Sequence, residues 1–417
     1  MDKLIISGNK KIFGKVIISG SKNAVLPIMA ATIIEPGIYQ ISNVPDLKDT
    51  RTMIDLLKII GARIKFTKNK LIINSKHCNN PNAPYDLVKT MRASFYVLGP
   101  LLSRFKKASV SLPGGCAWGP RPVDFHIKAL REMGAKIDLE DGNIIMKGEL
   151  HGREIKFKKI SVGATGNIIM AAVKAKGTTT LINASMEPEI INLVNFLQKL
   201  GSKISVLTKK NMYIIHGVEK LNKSAACKII PDRIEAGTYM IATALIGGEV
   251  IISNIILEHL DILIKKLKKS GVNIETGDEY VKIVSSKTIK PVDIETSEFP
   301  GFPTDLQAQW MALMTQSQGN SKITENIYKD RFTHVSELKR FGAEIKLKNN
   351  TAYIKGVKEL KAAPVMSTDI RASASLVLAA LKAKGKSEIS RIYHLDRGYE
   401  NLVNKFFRLG AQIQRVN

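Results

Sequence analysis

The feature that most constrains the fold is a phrase that recurs six times: the end of a helix, a glycine, and the start of a β-hairpin. Its first two copies are Leu57–Ile64 and Leu130–Ile137. A period of 67 to 73 residues holds several elements, so it predicts repeated small α/β subdomains rather than a solenoid. We expect each glycine to end its helix with a left-handed backbone, which a Cβ atom disfavours. The six glycines are Gly61, Gly134, Gly201, Gly271, Gly342 and Gly410.

The sixth copy of this phrase lacks a part that the first five have. In those five, the strand after the glycine returns on a second strand, as at Lys70–Ile73 and Met212–Ile215. The sixth copy reaches Asn417 before any such strand, whereas Lys3–Gly8 at the other end has the same apolar character. We therefore expect the N-terminal strand to complete the sixth repeat. The chain then divides into a discontinuous domain, residues 1–21 with 231–417, and a continuous domain, residues 22–230, with three repeats each.

Each repeat reads as strand, helix, strand, helix and hairpin. The first helix is strongly apolar, as at Ile168–Val173 and Ala372–Leu381. The second has apolar residues at three- and four-residue spacing, as at Thr50–Ile60, and is therefore amphipathic. The pattern predicts an α/β fold in which the apolar helices are buried beneath the sheets and the amphipathic helices.

Polar and basic residues gather where each apolar helix starts. Unpaired amides and the helix dipole make such a position favourable for anions, and an added Lys or Arg completes a phosphate site. The alternative is that Ser, Thr and Asp there only cap the helices. A single start of this kind would favour capping, but six of them, most with a basic residue, favour anion binding. The starts are Ser19–Asn23, Lys89–Arg92, Lys159–Thr165, Pro231–Arg233, Phe302–Asp305 and Ser367–Arg371.

One segment breaks the repeat pattern. Leu112–Asp124 is too rich in Gly and Pro for a regular element, so it predicts a loop that carries the thiol of Cys116. The guanidinium of Arg121 nearby would lower the pKa of that thiol and make it reactive or able to exchange a proton. Cys78 and Cys227 have no such company in sequence and are interpreted as buried hydrophobic residues.

The net charge of +26 calls for an explanation. The basic residues are scattered, without aromatic interleaving, so the composition favours drift in an AT-rich coding sequence over a nucleic-acid surface. The three dispersed cysteines indicate a reducing compartment. With no secretory signal and no long uncharged apolar run, we expect a cytoplasmic protein that does not bind a membrane.

The chain resembles the UDP-N-acetylglucosamine enolpyruvyl transferase family over nearly its whole length. Each motif alone is weak, but their combination is specific. The motifs are Gly20–Ala24, Cys116 with Arg121–Asp124, Ser161–Thr165, Pro231–Glu235, Phe302–Asp305 and Asp396–Gly398.

This resemblance implies two inside-out α/β barrels built from six βαβαββ units, three in each domain. It also implies transfer of the enolpyruvyl group of phosphoenolpyruvate to the 3-hydroxyl of UDP-N-acetylglucosamine, with release of phosphate. That reaction is the first committed step of peptidoglycan precursor synthesis and the target of fosfomycin. It requires no metal and no cofactor.

The resemblance further implies roles for individual residues. Asp305 is the candidate base, Cys116 the loop thiol, and Lys22 a catalytic cation. The residues implied to surround phosphoenolpyruvate are Lys22, Asn23, Arg121, Asp369, Arg371 and Arg397. The residues implied to contact the sugar nucleotide are Arg92, Arg121, Pro122, Val123, Asp124, Phe125, Lys159, Ser161, Val162, Gly163, Asp305 and Ile327.

Two departures from the family pattern affect local contacts. Lys329-Asp330-Arg331-Phe332 stands where Glu-Asn-Arg-Phe is common, and Met186 stands where an Arg is common. The alternative enzyme is the related transferase that acts on shikimate 3-phosphate. That transferase lacks a thiol loop. An alternative of another class is a basic repeat scaffold that binds RNA, but this would leave Cys116 and Asp305 unexplained.

Overall fold

The computed structural model describes residues 2–112 and 123–416, and it divides into two compact units. The terminal unit consists of Met1–Ser19 with Pro231–Asn417, and the middle unit of Gly20–Ile230. Each unit has its own cluster of buried hydrophobic residues. Among the described residues, no helix has both the length and the apolar content that crossing a membrane requires.

Most strands are about five residues long and belong to β-hairpins or to the parallel strands beside them. In chain order, β1 to β24 are Lys3–Ser7, Ile12–Ile17, Ile38–Ser42, Arg63–Thr67, Lys70–Asn74, Asn82–Ala83, Lys107–Ser111, Lys136–Glu140, Asn143–Lys147, Glu154–Lys156, Thr178–Ile182, Lys203–Leu207, Met212–His216, Ser224–Lys228, Gly248–Ser253, Asn273–Gly277, Tyr280–Val284, Ile294–Glu295, Asn320–Thr324, Glu344–Lys348, Thr351–Lys355, Pro364–Met366, Lys386–Ser390 and Gln412–Val416.

The helices alternate with these strands. In chain order, α1 to α13 are Lys22–Ala31, Lys48–Ile60, Tyr85–Val88, Leu98–Phe105, Asp124–Glu132, Val162–Ala172, Pro188–Lys199, Arg233–Ile246, Asp261–Lys269, Gln307–Met314, His334–Arg340, Ile370–Lys382 and Leu402–Arg408. Short 3₁₀ helices are Arg92–Val97, Thr208–Lys210, Leu257–His259, Thr304–Leu306 and Ile392–Arg397.

In the part of the chain that the structure describes, the strands form six four-stranded sheets, one for each repeat. In each sheet a strand pairs in parallel with its neighbour, and an antiparallel hairpin completes the other side, as in the order β10-β11-β13-β12. The sixth sheet has the order β22-β23-β1-β24, so β1 occupies the place of the missing return strand. Ile6 lies opposite Ile413 in that pairing, which confirms that the N-terminal strand completes the sixth repeat.

Two strands belong to a different unit from the helix that follows them. Strand β2 pairs with β15 in the terminal unit, yet the next helix, α1, belongs to the middle unit. Strand β14 pairs with β3 in the middle unit, and the next helix, α8, belongs to the terminal unit. The chain therefore passes between the units twice, each time between a parallel strand and an apolar helix.

The apolar helices lie in the cores, as their composition predicts. In the terminal unit α8, α10 and α12 pack against one another, and nearly all of their side chains are buried. In the middle unit α6 contacts both α1 and α4. The amphipathic helices, such as α2, bury one face only.

The six glycines that define the repeat all have a left-handed backbone. Their φ angles lie between 89° and 110°, in the region where a Cβ atom is disfavoured. Gly61 is the C-cap of α2, and each of the other five directly follows a helix C-cap residue. The predicted role of these glycines as helix terminators is confirmed.

Candidate functional site

The most highly charged cluster of predicted residues surrounds Asp305 in the terminal unit. Asp305 lies in the 3₁₀ helix Thr304–Leu306, directly before α10, and its side chain is 25% exposed. Its Oδ1 accepts a hydrogen bond from Nη1 of Arg331 at 2.8 Å. Its Oδ2 lies 3.0 Å from Nη2 of Arg371 and accepts a hydrogen bond from Nε of that residue at 3.1 Å. Two guanidinium groups therefore bind this carboxylate and fix its orientation.

Arg371 is almost completely buried at the start of α12. Its guanidinium carbon lies 5.3 Å from the ring centroid of Tyr399, close enough for a cation–π interaction. Burial lowers the pKa of Arg371, but the charge of Asp305 and the proximity of Tyr399 raise it more, so the net pKa lies above its usual value. The side chain is thus a permanent buried cation beside the candidate base.

Arg331 belongs to this cluster although its sequence motif predicts no role for it. It lies within the departure Lys329–Phe332. Its side chain is largely buried, and although burial lowers its pKa, Asp305 and Asp369 raise it to above its usual value. No local pattern marks Arg331, because the residue that it serves lies 26 positions earlier in the chain.

Asp369 caps the helix on which Arg371 lies. Its Oδ1 accepts hydrogen bonds from the amides of Arg371 and Ala372, at 2.8 and 3.1 Å. Ser161 caps α6 and Asp232 caps α8 in the same way. At these three helix starts the capping interpretation is confirmed, because the side chain already occupies amides that an anion would need.

Arg397 ends the 3₁₀ helix Ile392–Arg397 and is held near α12 by its neighbour in sequence. A Cβ atom on Gly398 would lie 2.4 Å from Cγ2 of Ile370, so only glycine allows the backbone to approach α12 so closely. The terminal unit therefore brings Asp305, Asp369, Arg371 and the backbone of Arg397 into one region.

The described residues among those predicted in the middle unit lie at the starts of α1, α5 and α6 and at Arg92, which begins the 3₁₀ helix Arg92–Val97. Lys22 and Asn23 begin α1, and Nζ of Lys22 lies 3.7 Å from Oδ2 of Asp49 on α2. Both side chains of this ion pair are largely buried. Among the described residues no side chain caps α1, so the start of this helix differs from the capped starts of α6, α8 and α12.

The starts of α5 and α6 meet at His126. A Cβ atom on Gly163 would lie 3.3 Å from Nε2 of His126, and Nδ1 of that ring lies 3.0 Å from Nδ2 of Asn167. This contact brings the segment Val123–Phe125 close to the segment Ser161–Gly163. Lys159 is exposed just before α6.

Several predicted residues cannot be placed. Cys116, Arg121 and Pro122 lie outside the described residues, as does the side chain of Arg92. The other two cysteines are buried, as the sequence analysis expects. Burial raises the pKa of Cys78, an effect that Arg104 partly offsets, and burial raises the pKa of Cys227 to about 11.

Ile327 lies in the turn that follows β19, in the terminal unit. Its amide donates a hydrogen bond to Oε1 of Glu325 at 2.9 Å. Glu325 is fully buried, and no local sequence pattern predicts a role for it.

The fold is shared with enolpyruvyl transferases of known structure. The enolpyruvyl transferase NikO from Streptomyces tendae superposes with a TM-score of 0.91 at 24% identity, covering 100% of this chain and 99% of that one. EPSP synthase from Acinetobacter baumannii superposes with a TM-score of 0.77 at 19% identity, with full coverage of both chains. At such identities these likenesses establish the class of fold: mixed α/β, built from four-stranded sheets, as in the enolpyruvyl transferases.

Sequence comparison is more specific. The family model described as EPSP synthase (3-phosphoshikimate 1-carboxyvinyltransferase) matches residues 6–406. Proteins named UDP-N-acetylglucosamine 1-carboxyvinyltransferase from Geotalea uraniireducens and Geobacter metallireducens are 52% and 51% identical over 417 residues, with full coverage of both chains. The protein of that name from Chloroherpeton thalassium is 50% identical, covering 100% of this chain and 97% of its own length. The chain therefore belongs to the EPSP synthase family and, within it, to the UDP-N-acetylglucosamine 1-carboxyvinyltransferases.

Proposed function

We propose that this protein transfers the enolpyruvyl group of phosphoenolpyruvate to the 3-hydroxyl of UDP-N-acetylglucosamine and releases phosphate. This is the first committed step of peptidoglycan precursor synthesis. The observation that supports the proposal is sequence identity. Over the whole chain, about half of the residues are identical to those of proteins named for this reaction. The cluster of Asp305 with two buried or nearly buried guanidinium groups suits an acid–base reaction of anionic substrates.

Asp305 is proposed as the base. In the addition step, C3 of phosphoenolpyruvate gains a proton and the sugar oxygen bonds to C2, while the hydroxyl proton passes to the carboxylate. In the elimination step, C3 loses a proton and the bond from C2 to the phosphate oxygen breaks. Arg331 and Arg371 fix the orientation of the carboxylate, so that it can accept the proton when the oxygen attacks.

The cations of the site are proposed to bind phosphoenolpyruvate, which carries a phosphate and a carboxylate. Fixed positive charge near the place where negative charge accumulates on the leaving phosphate stabilises the transition state. Asn23 and Asp369 order these groups, and the capping bonds of Asp369 support that role for α12. The proposed cations are Lys22, Arg121, Arg371 and Arg397.

The sugar nucleotide is proposed to contact the residues that the family resemblance implies. In the middle unit, the meeting of α5 and α6 at His126 supports a shared surface for Val123–Phe125 and Ser161–Gly163. The remaining proposed contacts are Arg92, Arg121, Pro122, Lys159, Asp305 and Ile327. Cys116 is proposed as the loop thiol that takes part in proton transfer or product release.

The finer architecture is also a proposal. We infer two inside-out barrels of three βαβαββ units each, with domain limits at residues 1–21 plus 231–417 and 22–230. The three mutually packed apolar helices of the terminal unit support this arrangement. A cytoplasmic location follows from the proposed substrates, which are metabolites of the cytoplasm.

An assay of phosphate release tests the function directly. Purified protein should release phosphate only when UDP-N-acetylglucosamine and phosphoenolpyruvate are both present. Shikimate 3-phosphate should not replace the sugar nucleotide. Equal turnover with shikimate 3-phosphate would instead support the EPSP synthase reaction that names the family model. Salt-dependent binding of RNA without phosphate release would support the scaffold alternative.

A further inference from the structure

Equivalent residues of the repeats can be identified at one position, directly after the strand that precedes the second helix. After β3, β11 and β15 this residue is an asparagine with a left-handed backbone. Each asparagine donates its side-chain amide to the carbonyl oxygen of the residue that follows the parallel neighbouring strand. These hydrogen bonds are Asn43 to Ile229 at 2.8 Å, Asn183 to Phe157 at 2.9 Å and Asn254 to Ile18 at 2.6 Å.

After β19 the same position is Glu325, which is fully buried. The residue that follows the parallel neighbour β18 is Thr296, and its hydroxyl donates to Oε1 of Glu325 at 2.8 Å. The link between the two strands is therefore kept, but the donor and the acceptor have changed places. An asparagine makes this link in three other repeats, so the link alone does not explain a buried carboxylate, which is costly to desolvate.

The remaining hydrogen bonds of Glu325 reach beyond the sheet. Oε1 also accepts from the amides of Ile327 and Tyr328, each at 2.9 Å. Oε2 accepts from the hydroxyl of Thr304 at 2.9 Å. One carboxylate thus ties the turn that carries Ile327 to the 3₁₀ helix that carries Asp305.

The contact with Thr304 continues to Asp305 itself. Nη1 of Arg331 donates to Oγ1 of Thr304 at 2.9 Å and to Oδ1 of Asp305 at 2.8 Å. A carboxylate only accepts and a guanidinium only donates, so Thr304 must give its one proton to Glu325 and accept from Arg331. The direction of this chain of hydrogen bonds is therefore fixed, and it depends on the negative charge of Glu325.

We propose that Glu325 is a positioning residue for the reaction. Through Thr304 and Arg331 it fixes the carboxylate of Asp305, and through two amides it fixes the turn of Ile327. The inference rests on the roles proposed above for Asp305 and Ile327. A reacting group displaced by about 1 Å loses on the order of 10²-fold in rate, so an indirect residue of this kind has a measurable effect on kcat.

The sharpest test compares Thr304→Val with Thr304→Ser. Valine keeps the shape of threonine but cannot relay the hydrogen bonds, whereas serine keeps the hydroxyl. We expect Thr304→Val to lower kcat by about 10-fold with little change in the KM for UDP-N-acetylglucosamine, and Thr304→Ser to retain most of kcat. The matched control is Thr324→Val, which removes a hydroxyl next to Glu325 that bonds only to Thr351 among the described residues.

A second variant tests both arms together. Glu325→Gln keeps the shape of the side chain but offers Thr304 or the two amides an NH₂ group in place of an acceptor oxygen. We expect kcat to fall by about 10²-fold, the KM for the sugar nucleotide to rise, and the amides of Ile327 and Tyr328 to exchange with deuterium faster. The Thr304 pair keeps the proposal testable if Glu325→Gln does not fold.

The outcomes separate this proposal from the proposed function. Asp305→Asn, measured in the same assay, should lose turnover. If Asp305→Asn loses turnover, three outcomes would overturn the positioning role of Glu325 alone. These are a wild-type kcat in Thr304→Val, a loss of kcat in Thr304→Ser equal to that in Thr304→Val, and unchanged amide exchange in Glu325→Gln. Wild-type turnover in Asp305→Asn would instead overturn the proposed base.

Discussion

At the scale of single residues, the proposed role of Asp305 as the base depends on the charge of its carboxylate as well as on its position. Replacing it in Asp305→Asn removes the negative charge between Arg331 and Arg371 while keeping the size of the side chain. We expect kcat to fall by about 10²- to 10⁴-fold, because an amide cannot take the hydroxyl proton. Affinity for UDP-N-acetylglucosamine, measured by titration calorimetry, should change little. Near-normal turnover would show that the base lies elsewhere.

The burial of two cysteines supports a prediction about the third. Cys78 and Cys227 are buried and have raised pKa values, so neither presents a thiolate to a reagent at neutral pH. We therefore expect fosfomycin to form a single adduct, on Cys116, faster when UDP-N-acetylglucosamine is present. Peptide mass mapping would locate the adduct, and Cys116→Asp should form none. An adduct on Cys78 or Cys227 would contradict the prediction.

The burial of His334 predicts how the stability of the terminal unit depends on pH. The ring is buried, and neither nitrogen has a hydrogen-bond partner among the described residues. Burial, with a smaller effect of Arg331, lowers the pKa of His334 to about 3. Below pH 6.5 the unfolded chain gains a proton that the folded chain cannot hold, so folding is destabilised as the pH falls. Between pH 7 and 5 this effect amounts to about 2 kcal/mol.

The variant His334→Phe should remove that dependence. Urea unfolding can be followed by the fluorescence of Trp310, which is buried in the terminal unit, in a Trp118→Phe background that leaves it as the single tryptophan. Relative to wild type, we expect the loss of unfolding free energy between pH 7 and 5 to be about 2 kcal/mol smaller. His77→Phe, at an exposed histidine, should behave as wild type. Equal pH dependence in His334→Phe would show that the ring is protonated in the folded state.

The candidate site also shows what the sequence can and cannot reveal at this scale. Asp305 was found because it lies in a motif of a recognised family, and Arg371 because it matches a family position at the start of an apolar helix. Arg331, Glu325 and Tyr399 were not assigned roles, because their function depends on partners that are distant in sequence. A carboxylate buried among hydroxyls and amides has no signature in the local pattern of residues.

At the scale of elements, the repeat made much of the fold predictable. Two features of the repeat are local: the left-handed glycine that ends an amphipathic helix, and the two-stranded hairpin that follows it. Their recurrence is therefore visible directly in the sequence. The pairing of β1 with β24 was inferred because five complete hairpins showed what the sixth lacked. The parallel pairing of β2 with β15 joins residues more than 230 positions apart and has no local signal.

The glycines at these element ends do not all resist substitution for the same reason. Gly342 has a φ of 89°, and a Cβ atom at this position would have no other atom within 4 Å. Gly342→Ala therefore incurs only backbone strain, about 1 kcal/mol. Gly248 also has a positive φ, but a Cβ there would lie 1.9 Å from the carbonyl oxygen of Ile12. We expect Gly248→Ala to lower the unfolding free energy of the terminal unit by clearly more, measured by the Trp310 fluorescence. Equal losses would mean that β2 moves away from β15 without cost.

At the scale of the whole molecule, strands β24 and β1 pair in the way that a hairpin pairs in the other repeats, but no turn joins them. Lys3 lies opposite Val416 in the antiparallel pairing of β1 with β24, and Arg415 forms an ion pair with Asp2 at 2.6 Å. In the first repeat the corresponding turn is Lys68-Asn69, with both residues left-handed. An Asn-Gly turn has the same backbone preference, so it should join the two strands without strain.

We therefore predict that a circular permutant folds and is active. In this variant Val416 is joined to Lys3 through Asn-Gly, and new ends are opened between Lys209 and Lys210, in an exposed turn of the middle unit. Phosphate release should stay within a few-fold of wild type, and the urea midpoint of the terminal unit should not fall, because the join closes a short loop at little entropic cost. A permutant with the same join but opened between Ile168 and Ile169, inside the buried helix α6, should not fold. Failure of the first permutant under conditions where wild type is active would show that β1 needs a free end to enter its sheet.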